Sequence, residues 1–314
     1  MGCARLFAAV LILLACSCGT RTEMEPPALP DFNAMWDFGD PGATEARFRG
    51  LVPLAEDSGD SAYHIELLTQ IARAEGLQRR FQDAHATLDT AYAMISNQET
   101  VPMARYLLER GRVYNSSGET DAAREYFLKA YRLADRLGAD FYSIDALHMM
   151  GIVEPPERQL EWSMRALSLA EGSGDERARK WRGALYNNIG WTFHDLGDYE
   201  KALEMFKRSL AFRIEMDDTA GMMIAGWTIA RTERSLGQVE EALDLQLGLA
   251  RDLEKYGLPE DGYVYEEIAE CLLLLDRKEE SKEYFGRAYA ILSKDDWMVA
   301  NEPDRLARLN DLSR

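Results

Sequence analysis

The chain has 314 residues, 46% of them hydrophobic and 29% charged, with 36 Lys and Arg against 54 Asp and Glu, a formal net charge of −18. This composition supports a packed core and excludes wholesale disorder, while the charge repels phosphate polymers, so nucleic acid is not an expected partner. No sustained alternation of apolar residues marks a strand, and no charge block or Gly/Ser-rich stretch splits the body, so the class expected is all-α and elongated.

The first residues read as an address. Arg5 is followed by an apolar stretch from Leu6 to Ala15, too short to span a bilayer. It ends in Leu13-Leu14-Ala15-Cys16, which resembles the lipobox of bacterial lipoproteins. The resemblance implies a lipoprotein signal peptide over 1–15, a lipid on Cys16, and a body held outside the cytoplasm in the cell envelope. Cys18 is the second candidate but lacks a Leu three residues upstream; an ordinary cleaved signal or an uncleaved anchor is the alternative. Residues 16–30, with Pro26, Pro27 and Pro30, carry no periodicity and read as a tether. Cys3, Cys16 and Cys18 fall in this leader, leaving Cys271 alone in the body as a small core hydrophobe without a disulfide or metal partner.

Residues 31–60 form a leading helical segment, with one amphipathic helix expected from Pro41 to Ser58 and a kink or early stop at Pro53. Self-similarity dominates 61–294. The clearest unit runs from Gly183 to Ile214: Tyr186, Ile189, Gly190 and Phe193 mark one helical face, Leu196-Gly197-Asp198-Tyr199 a turn, and Ala202, Phe206 and Ser209 a second helix. Equivalent units start at Ile65, Ala104, Ile144, Met223 and Gly262, so successive starts differ by 39, 40, 39, 40 and 39 residues. Small residues recur where paired helices must approach, as at Ala72, Gly111, Ala230 and Ala269, and Leu88, Phe127, Phe206 and Phe285 recur as large ones. Gln246 breaks the large-residue pattern, with Leu245 beside it. In the Ile144 unit Glu154-Pro155-Pro156-Glu157 replaces the turn, so its second helix is expected from there to about Glu171.

This pattern resembles the tetratricopeptide repeat. The resemblance implies a right-handed α-solenoid of about six helix-turn-helix units over 61–294, closed by a capping helix within 295–314 that turns Leu306 and Leu309 inward. The period exceeds the family's usual one, which implies longer helices or longer links.

No catalytic or cofactor constellation is present in the sequence. Gly172-Ser173-Gly174 lacks a third glycine and a preceding strand, and His64, His85, His148 and His194 show no metal-ligand spacing. Glu240 and Glu241 open a helix, where they face its dipole as solvated acids. The expectation is a binding protein, without enzyme activity, cofactor or metal.

The family resemblance places positions 2, 5, 9 and 12 of each first helix in a concave groove. Carried over, these include Arg73, Arg105, Arg112, Asn187, Trp191, His194, Trp227, Arg231 and Arg234, with Glu266 and Glu270 in the last unit. Arginines bind carboxylates and tryptophan is common at hot spots, so a peptide or protein partner with apolar and acidic groups is expected, centred on Asn187, Trp191, Trp227, Arg231 and Arg234. The alternative is that the arginines pair with acids of neighbouring helices. A membrane-anchored scaffold is the leading reading; a cytoplasmic peptide-sensing regulator and an accessory subunit of an envelope enzyme are the others.

Overall fold

The computed structural model describes residues 28–314, and every regular element among them is helical. The signal peptide, Cys16 and the tether up to residue 27 lie outside the described residues. A short 3-10 turn, Phe32–Met35, precedes α1, Pro41–Ser58. Asp40 caps α1 by accepting from the Ala43 N–H at 2.8 Å, and Pro41 suits a position whose N–H has no helical partner. Pro53 lies inside α1 without stopping it; the helix runs on to Ser58 and ends at Gly59 in the left-handed region, φ 71°.

Six antiparallel pairs follow among the described residues: α2 Ser61–Leu77 with α3 Phe81–Ala93, α4 Val101–Ser116 with α5 Thr120–Arg136, and α6 Asp140–Val153 with α7 Pro156–Gly172. After a single turn, α8 Glu176–Arg179, come α9 Arg182–Asp195 with α10 Tyr199–Glu215, α11 Thr219–Ser235 with α12 Val239–Lys255, and α13 Gly262–Leu274 with α14 Lys278–Leu292. They stack as a right-handed α-solenoid. The long period has a plain cause: α10, α11 and α12 are each 17 residues long, and only Met216–Asp218 and Leu236–Gln238 separate them. Long helices, not long links, set the repeat there. Gly197 closes α9 at φ 77°, its N–H bonding the His194 carbonyl at 3.0 Å while the Asp198 N–H reaches Phe193 O at 2.9 Å.

Close helix approach explains the small residues. A Cβ on Gly190 would lie 2.5 Å from the Phe206 ring, and one on Gly111 2.6 Å from the Phe127 ring. Leu88, Phe127, Phe206 and Phe285 are fully buried. Gln246 occupies the equivalent interior position at 0% exposure, while Leu245 beside it faces solvent. The second helix of the Ile144 unit starts at Pro156, as the proline pair dictates, and ends at Gly172. The sequence did not signal α8, which Asp175 caps.

Two helices close the solenoid, α15 Asp296–Asn301 and α16 Pro303–Leu312. Leu306 and Leu309 of α16 are buried, and Arg305 and Arg308 pair with Glu266 and Glu270 of α13. No helix among the described residues is long and apolar enough to cross a membrane.

Candidate functional site

Successive first helices are bound to one another by polar side chains. Gln70 of α2 donates to Glu109 of α4 at 3.1 Å, and Arg105 of α4 returns to Glu66 of α2 at 2.7 Å. Arg112 of α4 pairs with Asp145 of α6 and with Glu109 of its own helix. Burial opposes the charge on Arg112, but the Asp145 and Glu109 carboxylates outweigh it and raise its pKa; burial likewise opposes ionisation of Asp145, and Arg112 overcomes it and holds the carboxyl below its ordinary range. Farther along, His194 meets the Ser235 hydroxyl at 3.0 Å. Arg231 and Arg234 both converge on Glu267 of α13, which is only 2% exposed; Arg234 makes bonds of 2.8 and 3.0 Å to it.

In the stretch expected to be the centre of the site, both arginines are therefore tied to a carboxylate of the neighbouring first helix. Trp191 and Trp227 lie 5.8 Å apart between their rings, with the Arg231 guanidinium over both, and the Trp227 indole N–H donates to the Tyr263 carbonyl at 3.2 Å. Asn187 is half-buried, and its Oδ1 has no hydrogen-bond partner among the described residues. The His194 pKa is lowered by burial first and by Arg231 second.

Arg73, Arg105 and Arg112 stand elsewhere, around a cavity of about 500 Å³ lined by residues of four successive first helices, α2, α4, α6 and α9. Its charged lining is Arg73, Arg105, Arg112, Arg177, Lys180 and Arg213 against Glu109 and Asp145, a local reversal of the chain's net charge. Arg105 is held by Glu66 and Asn33, and Arg213 by Asp218. Arg73 is different. Its guanidinium lies over Trp36 and Phe38, at 5.6 and 5.3 Å from the ring centres, and its nearest carboxylate oxygen, on Glu109 at 3.6 Å, already accepts from Arg112 and Gln70. Burial and the neighbouring Arg112 charge push the Arg73 pKa down. Arg177 lies over Phe141 at 4.2 Å and has no ion pair among the described residues. Such a setting offers fixed guanidinium N–H groups and aromatic walls to an incoming carboxylate.

Sequence reasoning missed Trp36, Phe38, Arg177 and Trp181 in this lining. The first two lie before the repeats, and Arg177 belongs to α8, which no periodicity covers. The available signal was the aromatic cluster Phe32, Trp36 and Phe38 in an otherwise polar stretch. Its Trp36 indole N–H donates to Gln70 at 3.0 Å, and the Pro30 carbonyl accepts from Tyr63 at 2.9 Å, so the end of the expected tether is pinned to the solenoid.

Residues 69–136 and 183–216 match family models described as tetratricopeptide repeat. These two stretches are tetratricopeptide repeats. Similar solved structures agree. One is a signal transduction ATPase with a tetratricopeptide repeat sensor from Pyrococcus horikoshii, 16% identical at a TM-score of 0.66, with the match covering 85% of this chain and 43% of that one. Apo RapI is 14% identical at 0.63, covering 81% and 71%, and BtubC from P. vanneervenii is 16% identical at 0.55, covering 74% and 95%. No curated sequence matches the chain. At these identities the likeness concerns the fold, which is that of a tetratricopeptide-repeat solenoid.

Proposed function

We propose that the chain is a membrane-tethered scaffold, not an enzyme, that holds a segment of a partner protein in its concave groove, with an acidic group of that segment seated against Arg73. One observation carries this reading: Arg73 is oriented by Trp36 and Phe38 but shares its nearest carboxylate with two other donors. A ligand carboxylate completes its hydrogen bonding, and desolvation inside the cavity strengthens that bond. The site thus moves from the Trp191 to Arg234 stretch, where Arg231 and Arg234 both pair with Glu267 on the neighbouring first helix, toward Arg73, Arg105 and Arg112. Attachment to a membrane, with the body outside the cytoplasm, rests on Leu13-Leu14-Ala15-Cys16.

Two measurements test it. Acidic peptides selected on the purified chain should lose about tenfold or more in affinity with Arg73→Gln, since a hydrogen bond to a charged group contributes about 1.5–3 kcal/mol. Equal binding by that variant, with an unchanged melting curve, refutes the site. Cys16→Ala should abolish metabolic fatty-acid labelling; persistent labelling refutes the anchor assignment.

A further inference from the structure

At the other end of the same row of helices lies a cavity of about 630 Å³ with the opposite character. Met223, Ile224 and Trp227 of α11, Leu253 of α12, Tyr263 of α13 and Leu292 of α14 line it. It opens where the link between units is longest in this half: Tyr256–Asp261 separate α12 from α13, twice the length of the turns on either side of α11, and Leu258 and Pro259 of that link form part of the wall. Ile224 stands at the lip with 58% of its surface exposed. A large apolar side chain held in water beside an apolar cavity gains free energy when a partner covers it. The volume falls within the range of sites that hold small ligands, about 300–1,000 Å³.

The charged residues of this lining are Glu260, Asp261 and Asp295, all acidic. Glu260 gives part of its charge to Arg287. Asp261 and Asp295 accept only backbone N–H groups, from Tyr263 at 2.8 Å and from Trp297 and Met298 at 2.8 and 3.3 Å, and neither has an ion pair among the described residues. Their charge remains at the rim. An anionic amphiphile is repelled there, and a neutral apolar group gains nothing from the carboxylates.

We infer that this cavity anchors a bulky apolar side chain of a protein segment that carries Lys or Arg beside it. The inference goes beyond the reading of the Arg73 cavity and uses different residues. It also gives the groove a direction, because the cation-lined and acid-rimmed cavities lie at opposite ends of one row of helices.

The test measures fluorescence anisotropy of the full chain with three dye-labelled peptides sharing a Gly/Ser frame, with cores Lys-Phe-Lys, Glu-Phe-Glu and Lys-Ala-Lys. Lys-Phe-Lys should bind at least about tenfold more tightly than either of the others, as burial of a phenyl ring and charge complementarity both require. Ile224→Lys, at an exposed position, should keep the wild-type melting curve and narrow the gap between Lys-Phe-Lys and Glu-Phe-Glu, because the added cation offsets part of the acidic rim. Arg73→Gln should leave the order unchanged, which separates this cavity from the first. Equal binding of Lys-Phe-Lys and Lys-Ala-Lys, equal binding of the two phenylalanine peptides, or indifference to Ile224→Lys overturns the inference. So does light scattering that shows a wild-type dimer lost in Ile224→Lys, since a second copy then covers the cavity.

Discussion

Two glycine-to-alanine substitutions in helix interiors should have unequal effects, one stabilising and the other losing that gain or more. Gly50 of α1 has no heavy atom within 4 Å of an added Cβ, whereas a Cβ on Gly190 would meet Phe206 carbons at 2.5, 2.7 and 2.9 Å. Both variants gain about 1 kcal/mol of helix propensity, because alanine loses less backbone freedom than glycine. Carbon atoms attract best at about 3.5–4.0 Å, so Phe206 must retreat by roughly 1 Å to accept the methyl group that Gly190→Ala adds. The ring has nowhere to go: it is fully buried, with Trp191 edge-on at 5.4 Å and Ala202 and Ile229 in the same cluster. Such overpacking costs about 1–3 kcal/mol. Gly50→Ala should therefore raise the urea midpoint followed by far-UV circular dichroism, and Gly190→Ala should fall below it by that same about 1–3 kcal/mol after conversion through the measured slope. Equal shifts for the two variants would refute the repeat register and the helix contact it assigns.

Other consequences follow from buried polar groups. Gln246 is fully buried with Oε1 unpartnered among the described residues and its amide 3.5 Å from the Trp227 carbonyl, so Gln246→Met should stabilise the chain by about 1 kcal/mol or more in the same assay. Glu267→Gln should destabilise it by about 1.5–3 kcal/mol, because Arg231 and Arg234 lose their shared carboxylate. The pKa values of His85, His148 and His194 are all pushed down by burial from the ordinary 6.5, so the folded state resists protonation that the unfolded state accepts. Stability measured against pH should therefore be full above that value and decline as pH falls through it, with His148→Gln flattening the slope; a flat profile in the wild type contradicts the assignment.

The repeat register was legible because it depends on residue size at fixed spacing, and Gly111 against Phe127 or Gly190 against Phe206 records that size in the sequence. The end of α1, the proline start of α7 and the inward leucines of α16 were legible for the same local reasons. Pairing was not. Glu266 and Glu270 were expected in the groove, but the residue with which Arg231 and Arg234 both pair is Glu267, and nothing local to α13 reveals that two arginines of the preceding unit reach it. Arg73, Arg105 and Arg112 were placed in the groove by the register, but the walls around them escaped for a different reason: Trp36 and Phe38 precede the repeats and α8 interrupts them, so periodicity assigns none of these wall residues to the groove. Periodic patterns report the packing of repeats, while the two cavities arise where segments outside the pattern or a lengthened link meet it.

The central claim is that a partner segment lies in the groove against Arg73. A photo-crosslinking side chain placed at Phe38, which is 61% exposed on the wall of that cavity, tests it in native membranes against the same group placed at the solvent-facing Leu245 of α12. The account predicts a crosslinked partner from position 38 that disappears with Arg73→Gln, and none from position 245. Crosslinking of equal yield from both positions, or capture at position 38 that persists in Arg73→Gln, contradicts it.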